Sequence, residues 1–318
     1  MSEEIKVGVI GVGHLGEHHA RLYGTFHDVD LVGVVDADEE RGREISEKYD
    51  TDFYSDIDEL IPKIDAVSVV VPTEHHYSVS KKLIKAGIDC LVEKPMVETI
   101  SQAEELYNLA LSQDVLLQVG HIERFNTAFV AAREHIEEPR FIEVNRLGPF
   151  TERSTDIGVV MDVMIHDIDI MLSLVDSPIK EIRTVGESVV TDFEDICNAR
   201  FEFQNGCIAN LTASRVSPED RREIRIFQEH NFVSLNYKDQ DVKVWRLKDS
   251  SEKGPDFEVY TPEVKEGESL RRELLHFIHC IQEDRQPVVG GHEGKNALKV
   301  AFDVLEALES ENIKRFNG

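Results

Sequence analysis

The sequence predicts an α/β chain in two parts, a doubly wound parallel sheet followed by an α+β part with a large open, mostly antiparallel sheet. Three observations predict it. Valine-rich runs alternate with amphipathic stretches up to about residue 120, strand patterns then follow one another without intervening helices, and a glycine pattern separates the first strand from the first helix. The rhythm changes near residue 120, so the domains are expected at 1–120 and 121–318.

In the first part the strands are "IKVGVIG", "LVGVVD", "AVSVVVP", "IDCLVE" and "VLLQVG", and the helices between them span about 14–25, 38–49, 74–86 and 100–113. Short runs that are apolar throughout are strands buried on both faces, and crossover helices between them impose parallel pairing. In the second part a helical patch near 126–137 precedes "FIEVNRL" and a long apolar helix at about 158–175. Then come "EIRTVGESVV", "ARFEFQNGCIANLTASR", "REIRIF", "VKVWRL" and "DFEVYT". Asn205-Gly206 between alternating runs is a hairpin signal, because a tight turn needs residues that tolerate positive φ. The glycines of "GGHEG" read as a turn into a closing helix at about 293–310, since no strand leads into them.

Composition excludes several function classes. Lys and Arg number 35 against 62 Asp and Glu, a net charge of −27 that opposes nucleic acid and anionic membranes. Any anionic ligand must meet locally gathered arginines or helix N-termini. No apolar run approaches the roughly 20 residues needed to span a bilayer. The opening "MSEEIKVGVI" has no basic segment ahead of an apolar one, so a cytoplasmic protein is expected. Cys90, Cys197, Cys207 and Cys280 are far apart and form no CxxC pair, which suggests buried thiols rather than a zinc site or a disulfide framework.

"VGVIGVGHLG" places Gly11, Gly13 and Gly16 in GxGxxG spacing between a strand and a helix, with His14 and Leu15 completing the loop. The first glycine permits a tight turn, the second lets a pyrophosphate approach the backbone, and the third lets helix and strand pack closely. The helix start offers unpaired amides and a partial positive charge. Asp36, at the end of the second strand, can accept both ribose hydroxyls and would repel a 2′-phosphate, so NAD is expected in preference to NADP. Arg41 nearby works against that preference.

"CLVEKPM" ends a strand of the same sheet with Glu93, Lys94 and Pro95. Proline is a common strand terminator, but the carboxyl ends of such strands are also where ligands bind, and an ammonium there can stabilise negative charge developing on a hydroxyl. In "VVMDVMIHDIDIMLSLV", Asp162, His166, Asp169 and Ser173 recur at i, i+4, i+7 and i+11, one narrow polar stripe on an apolar helix. A stripe without long charged side chains lines a cavity. His166 is a general-base candidate with Asp162 one turn away; a structural histidine is the competing reading. No third segment completes a metal-binding set, and no metal is expected.

Together, the glycine loop, "VPTEHHYSVSKKLIKAGIDCLVEKPM" and "DVMIHDID" resemble the Gfo/Idh/MocA oxidoreductases over essentially the whole chain. The resemblance implies a Rossmann domain, then a domain whose open sheet builds homodimers or homotetramers. It also implies Lys94 and His166 as catalytic residues with Asp162 beside them, Thr73, His76 and Glu93 near the cofactor, and a cis Lys94–Pro95 bond. "TDIGVVMD" departs from the glycine triplet of many members, keeping only Gly158.

Within that family "VGHIERFNTAF" is similar to members that oxidise the 3-hydroxyl of UDP-N-acetylglucosamine. The resemblance implies a nucleotide-sugar substrate, with Arg124, Asn126, Arg146 and Arg153 as candidate contacts; read alone, each arginine serves equally well as a partner for carboxylates. The competing functions are an inositol or free-sugar dehydrogenase and a non-catalytic NAD-sensing regulator.

Overall fold

The structure, a computed structural model, describes residues 4–151, 157–248 and 256–317, with side chains described through residue 310. It divides into two compact units, Met1–His121 with Leu270–Asn296, and Ile122–Ser269 with Ala297–Gly318.

The first unit opens with β1 (Ile5–Ile10), α1 (His14–Tyr23), β2 (Val29–Val35), α2 (Glu39–Tyr49), β3 (Asp52–Tyr54) and α3 (Ile57–Leu60). It continues with β4 (Ala66–Val69), α4 (Thr73–Lys85), β5 (Asp89–Glu93), α5 (Ile100–Gln113) and β6 (Leu117–Gly120). The six strands pair in parallel in the order β3-β2-β1-β4-β5-β6. This is the doubly wound order, whose reversal between β1 and β4 opens a crevice at the strands' carboxyl ends. All residues of β4 and β6 are buried, as their apolar runs require. Local signals set the helix starts: Asp38 caps α2 by accepting from Glu40 and Arg41, and Thr99 with Gln102 forms a capping box on α5.

In the second unit a 3-10 turn (Ile122–Phe125) leads to α6 (Thr127–Arg133) and β7 (Phe141–Leu147). A π-helical turn (Val160–Met164) runs directly into α7 (Ile165–Leu174). Next come β8 (Ile179–Glu187), β9 (Ile196–Phe203), β10 (Ile208–Ser214), β11 (Arg221–Phe227), β12 (Asn231–Asn236), β13 (Asp241–Leu247) and β14 (Phe257–Tyr260). The eight strands order as β14-β13-β12-β11-β7-β10-β9-β8, antiparallel except for the β7–β10 pair. Burial alternates along β7 and β10, the pattern of a sheet with one covered face. α7 packs against β10, and α6 against β12 and β13. The Asn205-Gly206 turn joins β9 to β10 as the sequence predicts, with Gly206 at φ 86°.

α8 (Ser269–Gln282) and the start of α9 (Gly291–Asn317) return to the first unit. The expected turn is largely helical, since α9 begins at Gly291, inside "GGHEG", and its glycines let it approach β6 closely. A Cβ on Gly294 would lie 2.5 Å from Val119 Cγ2, and one on Gly291 would lie 2.9 Å from Leu117 Cδ2. Among the described residues no helix is long and apolar enough to cross a membrane. The four cysteines are buried free thiols.

Gly294→Ala forces a methyl into that contact and should destabilise the protein by about 1–3 kcal/mol. An unfolding midpoint in urea equal to wild type would contradict the close packing of α9 on β6.

Candidate active site

At the end of β1 the three glycines do separate work. Gly11 has φ +84°, and a Cβ there would sit 2.7 Å from the Val70 backbone; a Cβ on Gly16 would sit 1.8 Å from Gly11 O. These two permit the turn and the packing of α1. Gly13 is exposed, with nothing within 4 Å of a Cβ, and it precedes α1 without a side-chain cap. The backbone is therefore open where the helix presents unpaired amides. His14 and Leu15 are exposed in the first turn of α1.

Asp36 accepts from Val12 N at 2.7 Å and Asp38 N at 2.9 Å, which fixes its carboxylate beside the glycine loop. A carboxylate has about four lone-pair sites, so it retains capacity for two hydroxyls. Arg41 donates from Nε to Val12 O at 3.0 Å and pairs with Glu17 and Glu44. Hydrogen bonds from Lys48 and Arg41 pull the Glu17 carboxyl down to about 2. The Arg41 charge is thus matched by acidic partners at the loop. A 610 Å³ cleft lined by Gly11, Gly13, Asp36, Ser55, Pro72 and His75 opens there. The bare Gly13 backbone, the uncapped start of α1 and the tethered Asp36 fit the pyrophosphate and adenosine ribose of NAD.

At the end of β5, Glu93 is buried rather than displayed in the cleft. Its Oε1 lies 3.4 Å from His19 Nε2, and its Oε2 accepts from Lys94 N at 3.2 Å. Burial opposes its ionisation, but His19 and Lys94 outweigh that and hold the carboxyl below its ordinary range. Gly120 leaves room for it, since a Cβ there would lie 2.9 Å from the carboxylate. The Lys94–Pro95 bond is cis, as the family resemblance implies, and Lys94 is half-buried. His76 is 1% exposed, with Nδ1 2.9 Å from Pro95 O and Nε2 2.8 Å from Val71 O. Burial pulls its pKa down against those carbonyl contacts. His76 therefore ties the chain after β4 to the Lys94–Pro95 turn. Thr73 is half-buried at the first position of α4.

In the second unit Asp162 lies in the π-turn, and His166 is the second residue of α7; both are half-buried, as is Ser173. Asp169 is buried, 3.4 Å from Arg124 Nε, and burial pushes its pKa up to about 7 against the attraction of Arg124. Asn126 caps α6, accepting from Ala128 N at 3.0 Å and donating to Glu123 and to Tyr237 O. Arg146 is engaged through all three guanidinium nitrogens. Nε and Nη2 meet the two oxygens of Asp167 at 2.8 Å each, and Nη1 meets Glu123 at 2.8 Å. This is the carboxylate pairing that its sequence context left open, and it is buried. Arg153 lies outside the described residues.

Sequence reasoning missed His19, Asp167 and Glu123, which hold Glu93 and Arg146. Asp167 adjoins His166, off the polar stripe, and its partner lies 21 residues earlier on a strand, so no spacing links them. The sequence signal present was only the "HD" dipeptide itself. Among the described residues no group of three or more His, Cys, Asp or Glu could hold a metal ion.

Comparison with known proteins shows the family and the fold. The model of the GFO/IDH/MocA oxidoreductase family with an NAD-binding Rossmann fold matches residues 5–121, and that of the GFO/IDH/MocA C-terminal domain matches 118–233. The UDP-N-acetylglucosamine 3-dehydrogenase of Acidithiobacillus ferrooxidans is 34% identical over 96% of this chain and 98% of its own; its solved structure superposes with a TM-score of 0.90 over the same shares. The scyllo-inositol 2-dehydrogenase (NAD(+)) of Bacillus subtilis is 27% identical over 95% of this chain and 93% of its own. The myo-inositol 2-dehydrogenase of Thermotoga maritima is 26% identical over 96% and 97%.

Burial pushes the Asp169 carboxyl from its ordinary value of 3.8 up to about 7. The folded state therefore binds this proton more tightly than the unfolded one. The stability it contributes is complete below about pH 4 and is lost as pH rises through about 7. Unfolding midpoints of Asp169→Asn, which stays neutral, should gain on wild type between pH 5 and pH 8. A difference that stays constant over that range would show that Asp169 does not titrate there.

Proposed function

The chain belongs to the Gfo/Idh/MocA family of NAD-binding oxidoreductases, and on that premise we propose that it oxidises the 3-hydroxyl of UDP-N-acetylglucosamine. The observation that carries this reading is the 34% identity, over 96% of the chain, to an enzyme of that activity. NAD supplies the hydride acceptor. His166 takes the hydroxyl proton, and Asp162, one turn before it, orients the imidazole and stabilises the imidazolium that forms. Lys94 donates to the oxygen as it becomes an alkoxide, acting from a turn whose backbone is bonded by His76 and Glu93. Preorganised donors aimed at developing charge supply a large share of the rate, and general-base catalysis adds ~10²- to 10⁴-fold.

Gly11, Gly13, His14, Leu15 and Gly16 hold the pyrophosphate. Asp36 selects NAD by accepting from the ribose, with Arg41 matched by Glu17 and Glu44 rather than left to attract a 2′-phosphate. Thr73 completes the nicotinamide end. Arg124 and Arg153 are assigned to the sugar diphosphate, which the net charge of −27 would otherwise oppose. Asn126 and Arg146 shape the substrate side by holding their unit together. A second reading, an inositol dehydrogenase, has support in the 27% and 26% identities to two such enzymes. A non-catalytic NAD-sensing regulator is disfavoured because it has no use for the Lys94, Asp162 and His166 set.

The protein is assigned to the cytoplasm, where NAD and nucleotide sugars are at hand and thiols stay reduced. It is assigned as a homodimer or homotetramer through the outer face of the eight-stranded sheet. Half-exposed Phe141, Phe227, Phe232 and Trp245 form a row there with ring separations of 5.7, 4.8 and 4.3 Å. A monomer mass in light scattering would contradict that assembly.

Initial-rate assays should give a kcat/KM for UDP-N-acetylglucosamine far above those for inositols and simple hexoses. The reverse order would establish the second reading, and no NADH from any of them would favour the regulator. Lys94→Ala and His166→Ala should bind NAD normally and lose ~10²- to 10⁴-fold in kcat. Near-normal turnover in both would remove the catalytic assignment.

A further inference from the structure

We propose that Glu194, in the connection between β8 and β9, is a positioning residue for Asp162 and His166, serving as the N-terminal cap of the helix that carries them. The proposal rests on the catalytic reading above. The helix begins at Val159 with no side-chain cap from its own sequence, although its first amides need acceptors. Glu194 supplies two: its Oε1 accepts from Val160 N at 3.0 Å, and its main-chain oxygen accepts from Val159 N at 2.9 Å. A carboxylate at this end also suits the helix dipole.

Glu194 is itself held firmly. Its neighbour Asp195 is fully buried and accepts from the backbone N–H of Val189, Val190 and Thr191 at 2.7, 2.6 and 2.9 Å. Asp195 also faces Arg215 Nε at 3.0 Å, and Arg215 Nη2 donates to Glu194 O and Ile157 O. Gly158 makes the arrangement possible, since a Cβ there would lie 1.9 Å from Glu194 Oε1. This gives a physical reason for the one glycine that the sequence keeps before Asp162.

The π-turn explains why a cap matters for chemistry. Ile165 N–H bonds back to Val160 O, so the turn between the cap and His166 carries one residue more than an α-turn. Relaxing it to an α-turn would rotate Asp162 by about 100° around the axis relative to His166. A cap that fixes the first amides holds the wider turn in place.

The test measures kcat and KM for UDP-N-acetylglucosamine oxidation together with amide hydrogen exchange at Val160. Glu194→Ala should lower kcat by about 10- to 100-fold, leave KM for NAD within about twofold of wild type, and speed Val160 exchange at least ~10-fold. Glu194→Gln, whose amide oxygen still accepts, should restore most of both. Gly158→Ala, whose methyl displaces the carboxylate, should match Glu194→Ala, and the double variant should be no worse than either single one. Unchanged Val160 exchange in Glu194→Ala, or losses that multiply in the double variant, would overturn the proposal. Should wild type prove inactive on the sugar nucleotide, the functional reading fails while the Val160 exchange rates still decide whether Glu194 is the cap. Full turnover in His166→Ala would end the positioning role.

Discussion

A buried guanidinium demands carboxylates, and Arg146 has two. Burial alone would pull its pKa down, but Asp167 and Glu123 raise it well above the ordinary arginine value. The fork-to-fork geometry with Asp167 fixes both distance and angle, so α7 cannot slide or turn on β7 without breaking two charge-assisted bonds. The Arg146 guanidinium also lies over the Tyr237 ring at 5.2 Å, and Tyr237 O accepts from Asn126, the cap of α6. Glu123 bonds both Asn126 and Arg146. One connected polar group thus binds the 3-10 turn, α6, β7 and α7 together. Removing a single partner from such a buried pair costs about 3–5 kcal/mol, because the other charge is left uncompensated.

The first unit uses the same device behind its lysine. Glu93 and His19 are packed under the end of β5, and His76 holds the Lys94–Pro95 turn from the side of β4. In both units polar groups buried behind the candidate catalytic residues fix the backbone, leaving Lys94, Asp162 and His166 half-buried at the surface of a rigid element. Such preorganisation is what electrostatic stabilisation of an alkoxide requires.

The sequence was most legible where one physical rule dominates. Valine runs with helices between them gave the parallel sheet because strands buried on both faces cannot alternate, and Asn205-Gly206 gave the hairpin because the turn needs positive φ. β3 escaped notice since three residues carry no periodicity. α8 was legible in principle, as Leu270, Leu274, Phe277 and Ile278 follow helical spacing and are buried, but its charged exterior hid the stripe. The apolar helix at 158–175 was foreseen as uniform, whereas the chain opens it with a π-turn that no side-chain pattern signals. The polar stripe pointed to Asp162 and His166. The partners of Glu93 and Arg146, and the reach of Glu194 to Val160, depend on long-range packing that spacing alone does not encode.

In the proposed reaction a carbon-bound hydrogen at C3 of the sugar leaves as hydride to NAD while the hydroxyl proton goes to His166. UDP-N-acetylglucosamine carrying deuterium at C3 tests it most directly, with the nicotinamide product read by mass spectrometry. Reduced nicotinamide bearing one deuterium and a 3-oxo sugar nucleotide lacking it are expected. Unlabelled NADH, or none, would contradict it.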